Sequence, residues 1–215
     1  MSDELAGILA DAAQGRFPPP DGGVTVLGRP GSREEGVVAF TAHSVVFTAE
    51  DPAWVRAELA ATDSDRLAAT MNPVFLSALM ARTGRSMDTI DLVTVSDALS
   101  GEPEPGLGLR EIEDREHPRV AAALKRRDEV RVWAAADGGV LVLGRGLAGR
   151  WEVSIEVEEK ARGRGLGPRL ALAARCLAPG PVLWSQQSPG NARSVRAFQR
   201  AGYRPVASEA VLMAR

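Results

Sequence analysis

The sequence predicts an α/β chain built on a mixed sheet (α+β in layout), and three observations predict it. A strand-like run at 152–157 passes through Arg162-Gly163-Arg164-Gly165-Leu166-Gly167 into the helix-forming segment that starts at Pro168. Apolar runs at 130–136 and 140–143 flank Asp137-Gly138-Gly139, a hairpin signal. Asp51-Pro52, Asn72-Pro73 and Asn191 each stand where a helix begins: a short oxygen-bearing side chain caps free amides, and proline needs none.

Taken in order, the apolar run after Asp21-Gly22-Gly23 reads as one arm of a hairpin, and residues 37–40 read as a strand. Gly28, Gly31 and Gly36 fall between strands and read as a hairpin loop, and His43 reads as a turn residue. Helices follow from Pro52 and from Pro73, the second stopping near Gly84, and then a strand at 91–95. Residues 98–107 mix proline, glycine and acid with little to bury, so they read as a linker. This predicts a smaller α/β domain over 1–105 and a second domain over 106–215. In the second, a strand at 108–112 precedes a helix opened by His117-Pro118. The hairpin, the 152–157 strand, the glycine loop with its helix, a strand at 181–185, a helix from Asn191 to Gly202 and two closing strands at 203–206 and 209–213 complete it. Asp21-Gly-Gly-Val-Thr-Val-Leu-Gly-Arg29 recurs as Asp137-Gly-Gly-Val-Leu-Val-Leu-Gly-Arg145. Convergent turn chemistry and a decayed duplication both explain it.

Composition narrows the function classes. With 45% hydrophobic and 25% charged residues, the 215-residue chain is an ordinary globule. A formal charge of −2 argues against a general nucleic-acid binder. No segment is long and apolar enough to cross a membrane, and the N-terminus lacks a secretory leader, so a cytoplasmic location is expected. Cys176 is the one cysteine, which excludes an internal disulfide; late in its helix it reads as a small packing residue. His43 and His117 lack ligand spacing, so no metal site is expected.

The glycine loop is where the chemistry concentrates. Helix starts carry free N–H groups that favour anions, and glycines let that backbone approach a ligand. Arg162, Arg164 and Arg169 add positive charge. A P-loop is excluded, since no Gly-x-x-x-x-Gly-Lys-[Ser/Thr] occurs. The dinucleotide fingerprint fails because Pro168 stands at its third glycine. What remains, Arg-x-x-Gly-x-Gly at a strand-to-helix junction, resembles the acyl-CoA pyrophosphate loop of the GNAT superfamily of N-acetyltransferases. Asn191 opening a helix that Gly202-Tyr203 ends resembles that superfamily's second signature. The resemblance covers about residues 108–215; the first half would be a GNAT-like partner, degenerate in its loop, that shapes the acceptor pocket without binding cofactor.

The resemblance implies a GNAT fold for 106–215 and an acetyl-CoA-dependent N-acetyltransferase, or one using another short acyl-CoA. It implies direct attack of a primary amine on the thioester; the acceptor is a small molecule or a protein, and a homodimer is allowed. Cofactor contacts fall on Ile155, Glu156 and Val157, on Arg162, Gly163, Arg164, Gly165, Leu166 and Gly167, and on Asn191 and Ser194. A bulge in the 152–157 strand is usual in the superfamily. One departure stands out: Phe198 occupies the place where such enzymes often carry a tyrosine acid, so water or the substrate ammonium would protonate the thiolate. Independently of the resemblance, Glu152, Ser154 and Glu156 share one face of their strand. If that face lines a wet cleft, Glu152 and Glu156 are candidate bases; otherwise they are solvated glutamates. The competing readings are an acyl-CoA-binding sensor or scaffold without turnover, and a structural partner whose loop binds nothing.

Overall fold

The computed structural model describes residues 3–214. The elements begin α1 (Asp3–Ala13), β1 (Gly23–Leu27), β2 (Glu34–Phe40), β3 (His43–Phe47), α2 (Pro52–Ala61), α3 (Pro73–Thr83), β4 (Arg85–Ser86) and β5 (Asp91–Asp97). They continue β6 (Arg110–Ile112), α4 (Pro118–Arg126), β7 (Asp128–Ala135), β8 (Gly139–Arg145), β9 (Trp151–Val157), α5 (Leu166–Leu177), β10 (Val182–Gln187), α6 (Ala192–Arg200) and β11 (Arg204–Ala214). Contacts divide the chain into two compact units. One holds the residues up to Val93 together with those from Val206 onward, and the other is Thr94–Pro205. Among the described residues no helix is long and apolar enough to cross a membrane.

In the first unit the strands run in the order β1-β3-β2-β11, with β1 parallel to β3 and the other pairs antiparallel. The caps of α2 and α3 form as the sequence requires. Asp51 Oδ1 accepts the Ala53 N–H at 2.7 Å, and Asn72 Oδ1 accepts that of Val74 at 2.9 Å. Gly84 closes α3 at φ 67°. Both helices bury apolar side chains in a cluster with Val37, Val46, Ala210 and Leu212 from the sheet. A buried carboxylate, Glu35, is held by Arg85 at 3.1 Å and accepts from the Thr48 hydroxyl.

Four readings of this half change. α1 was not anticipated, although Leu5, Leu9 and Ala12 recur at helical spacing and are buried. Gly36 is not in a loop: it lies inside β2 at φ 152°, where a Cβ would stand 2.1 Å from the Ala210 carbonyl oxygen. Only glycine lets the two backbones come so close. His43 opens β3 instead of a turn. Its Nδ1 lies 2.8 Å from Asp21 Oδ1 and its Nε2 2.9 Å from Thr25 Oγ1, which pins the edge strand β1. The closing segment is one strand, β11, where two were expected.

The repeated word shares a left-handed glycine and then diverges: the Gly138 N–H donates to the Ala135 carbonyl within a local turn, the Gly22 N–H to the distant Ala42 carbonyl. Gly22 and Gly138, each following an aspartate, both sit at positive φ, 67° and 85°. Yet β1 is an edge strand parallel to β3, whereas β8 lies between two antiparallel partners, β7 and β9.

The second unit has the order β5-β10-β9-β8-β7-β6. β6 to β9 form antiparallel neighbours, and β9 meets β10 in parallel. α5 and α6 cover one face, where Leu141, Leu143, Val153, Leu170 and Leu183 are fully buried. α4 contributes Val120 and Ala123 to a smaller cluster with Val132 and Val142. The 98–107 stretch is not a loose tether within this unit. Leu107 is buried in the main core, the Leu99 N–H donates to the Arg175 carbonyl at 2.9 Å, and Glu104 takes a two-pronged contact from Arg169. The sequence hid this because proline and glycine read as flexible while one leucine anchors the segment.

Candidate functional site

The site grows from β9. Its ladder to β8 is regular from Gly139↔Val157 to Arg145↔Trp151, so β9 carries no bulge; the irregularity falls in β7, where Glu129 has φ 50°. The Arg150 carbonyl accepts the Gly146 N–H, and the Glu158 N–H donates to the Gly138 carbonyl, both at 2.9 Å. Even-numbered residues therefore turn their backbone groups toward β8, and Val153, Ile155 and Val157 turn theirs to the opposite edge. On that edge β10 pairs at a single position, Trp184 beside Glu152. Past it the ladder stops, and the amides of Ile155 and Val157 face the break. Glu156 differs from its two neighbours: its backbone pairs with Val140 in β8.

The chain then turns through Gly163 and Gly165, at φ 79° and 80°, and enters α5. No other heavy atom lies within 4 Å of where a Cβ would sit at either glycine. Their conformation thus needs glycine while the space above them is open. α2, α3, α4 and α6 each have a side-chain cap, from Asp51, Asn72, His117 and Asn191, but α5 has none. The Leu166 and Gly167 amides are among the free donors of its first turn; Pro168 has none to offer. A Cβ at Gly167 would stand 3.6 Å from Ala197 Cβ on α6, and the Leu166 side chain is core. Arg162 Nε donates to the Val157 carbonyl at 3.1 Å, while Arg164 is exposed. An open groove of about 500 Å³ borders this loop, lined among others by Asp137, Lys160, Arg164 and Arg169.

Asn191 is exposed and caps α6, its Oδ1 accepting the Ser194 N–H at 3.1 Å. Phe198, two turns on, is only 3% exposed and meets Tyr203 edge-on at 4.9 Å. The Tyr203 hydroxyl donates to the Ala171 carbonyl at 3.2 Å, and burial pushes its pKa well above the usual phenol range. Neither ring can deliver a proton to solvent-facing chemistry. β10 also carries a polar set that sequence reasoning passed over: Ser185 and Gln187, both buried and hydrogen-bonded to Thr94 of β5. Alternation in Leu183-Trp184-Ser185-Gln186-Gln187 was the available signal.

Glu152, Ser154 and Glu156 do share a face, but that face is not one wet cleft. Glu152 is buried, with Oε1 2.7 Å from Arg150 Nε and Oε2 3.0 Å from Arg127 Nε. Burial pushes its pKa up, yet the Arg150 and Arg127 charges outweigh it and hold the carboxyl below the ordinary range. Burial likewise draws Arg127 down, Glu152 offsetting only part; a guanidinium starts so high that it stays charged. Arg127 Nη1 also donates to Ser154 Oγ at 3.2 Å. Glu156 is different: its side chain is 38% exposed and meets Arg119 of α4 at 3.2 Å. Arg127 and Arg150 were not singled out from sequence, since nothing in a lone arginine marks it as buried. Among the described residues no group of His, Cys, Asp and Glu is placed to hold a metal.

No family profile and no curated protein matches the sequence. Solved structures that it resembles include a GCN5-related N-acetyltransferase from Kribbella flavida, 17% identical over 64% of this chain and 63% of that one, with a TM-score of 0.41. Another is a GCN5-related N-acetyltransferase from Sphaerobacter thermophilus, 13% identical over 64% and 55%, TM-score 0.40. A third is a putative acetyltransferase of the GNAT family from Novosphingobium aromaticivorans, 18% identical over 60% and 67%, TM-score 0.41. The matched region spans between 55% and 67% of the length of these structures.

Proposed function

We propose that the chain is an N-acetyltransferase that takes acetyl-CoA, or another short acyl-CoA, and passes the acyl group to a primary amine. The observation that carries this reading is one juxtaposition. A helix start with no side-chain cap, approached through two left-handed glycines under open space, follows directly on a strand whose outer amides face a broken ladder. Free amides at the start of α5 suit a diphosphate. The donor set therefore fits the carrier, which when bound supplies an activated thioester carbonyl. Outward amides of Ile155 and Val157 are placed to hydrogen-bond an extended arm laid along β9, and fixed N–H donors suit a developing oxyanion.

Proton handling follows from accessibility. An alkylammonium must lose a proton before attack. Of the two glutamates, Glu156 is half-exposed and Glu152 is locked by two arginines, so Glu156 is the base in this reading, directly or through water. With Phe198 and Tyr203 buried, the leaving thiolate takes its proton from solvent or from the product side. The acceptor is a small molecule or a protein amine, and a cytoplasmic setting fits a carrier of that kind.

Those same buried rings favour the second reading, a sensor that binds acyl-CoA without turnover. Melting curves with and without acetyl-CoA, followed by thiol release across a panel of amines, separate the two. At a hundredfold excess over Kd, binding stabilises by about 2.7 kcal/mol. That raises the midpoint by roughly 5–10 °C for a chain of this size. A shift with thiol release supports the enzyme, and a shift alone the sensor. Gly165→Asp should abolish the shift while the chain still folds, because aspartate is among the few residues that enter the left-handed region. No shift in the wild type, or an unchanged shift in that variant, overturns the site.

A further inference from the structure

The first unit carries a groove of its own, remote in sequence from the glycine loop. It encloses about 470 Å³ and is lined by Gly22, Gly23, Val24 and Leu59, by Arg56 of α2, and by the 63–69 segment that follows that helix. That volume lies within the range of small-molecule sites, about 300–1,000 Å³. Two features set it apart from a surface dent. Neither Arg56 nor Arg66 has a carboxylate at ion-pair distance among the described residues, although most other arginines here are paired. Ser64 Oγ is buried and has no hydrogen-bond partner, a cost unless something arrives to take it.

We infer that this groove binds a small carboxylate with an aliphatic body. Two guanidiniums and one carboxylate, Arg56, Arg66 and Asp63, leave the lining with one positive charge in excess, and a monoanion balances it. A guanidinium receives a carboxylate in a two-pronged geometry that a hydroxyl or amine does not match. Val24, Leu59, Ala60 and Ala69 supply the apolar wall for the aliphatic part. Ser64 lines the groove beside Asp63. This site does not depend on the acyl-CoA reading, because no residue is shared between the two.

Isothermal titration of the full chain with 3-methylbutanoate tests it, with 3-methyl-1-butanol, 3-methylbutylamine and inorganic phosphate as parallel titrants. The carboxylate should bind, the alcohol and amine should not, and Arg56→Gln and Arg66→Gln should each weaken binding about tenfold, the loss expected for one charge-assisted hydrogen bond. Ser64→Ala should weaken it less. Gly165→Asp should leave it unchanged, so failure here and failure of the acyl-CoA site are separable. Absence of binding, binding of phosphate but not of the carboxylate, or an unchanged Kd in both arginine variants would each overturn the assignment. Arg56 and Arg66 are exposed, so their glutamine variants should keep the wild-type melting point.

Discussion

Glu152→Gln tests the reading of the charged face on β9. In the native chain the carboxylate accepts from Arg150 at 2.7 Å and Arg127 at 3.0 Å, with all three side chains under 10% exposed. Glutamine keeps the shape but takes the shared negative charge away from two buried guanidiniums. Breaking a buried pair from one side costs about 3–5 kcal/mol. At roughly 2–4 °C per kcal/mol for a chain of this length, the midpoint should fall by about 6–20 °C. Glu156→Gln is the internal control. Its pair with Arg119 is about 40% exposed on both sides, so it should cost at most about 1 kcal/mol. The same variant should lower kcat about a hundredfold or more if Glu156 is the base. Calorimetry of both variants beside the wild type is the assay. The pH dependence adds a signed check. A carboxyl held below its ordinary value of 4.5 stabilises the fold above that pH, and the contribution fades as pH drops through the lowered value. The wild type should therefore lose its advantage over Glu152→Gln only in acid. A Glu152→Gln midpoint within 2 °C of wild type at pH 7 would refute the clamp.

Three further outcomes are expected. Gly36→Ala should destabilise by about 3 kcal/mol or more in denaturant melts, because its Cβ would meet the Ala210 carbonyl at 2.1 Å and the β2–β11 ladder must open. Phe198→Tyr should cost about 1–3 kcal/mol for burying a hydroxyl and should not raise kcat; a faster enzyme would mean that this ring reaches the chemistry. The Asp21–His43 contact lowers the Asp21 pKa, chiefly through the hydrogen bond from His43, so the pin on β1 should hold above about pH 3.8 and loosen below it. Hydrogen exchange of the β1 amides should follow that pattern in the wild type and lose it in Asp21→Asn.

Much of the helix and turn placement was legible in the sequence because its signals are local. A capping side chain, a left-handed glycine and a two-residue period each act within a few residues, so Asp51, Asn72, His117, Asn191 and the 137–139 turn all fall where they were expected. What escaped depends on partners distant in the chain. Gly36 reads as loop until β11 lies against it, and Glu152 reads as a cleft carboxylate until Arg127, 25 residues away, covers it. Leu107 turns a proline-rich stretch into part of the core, which composition could not indicate. The loop at 163–167 was readable for a physical reason: its geometry is dictated by glycine, and glycine is visible in sequence. The choice between Glu152 and Glu156 was not, since alternation places both on one face and says nothing about which is covered.

The most direct test is a backbone amide map of the isotopically labelled chain during titration with acetyl-CoA. The account predicts the largest shifts at Ile155 and Val157 and at residues 163–167, with Glu156 moving less because its amide is turned to β8. Shifts concentrated elsewhere, with those amides unmoved at saturation, would contradict it.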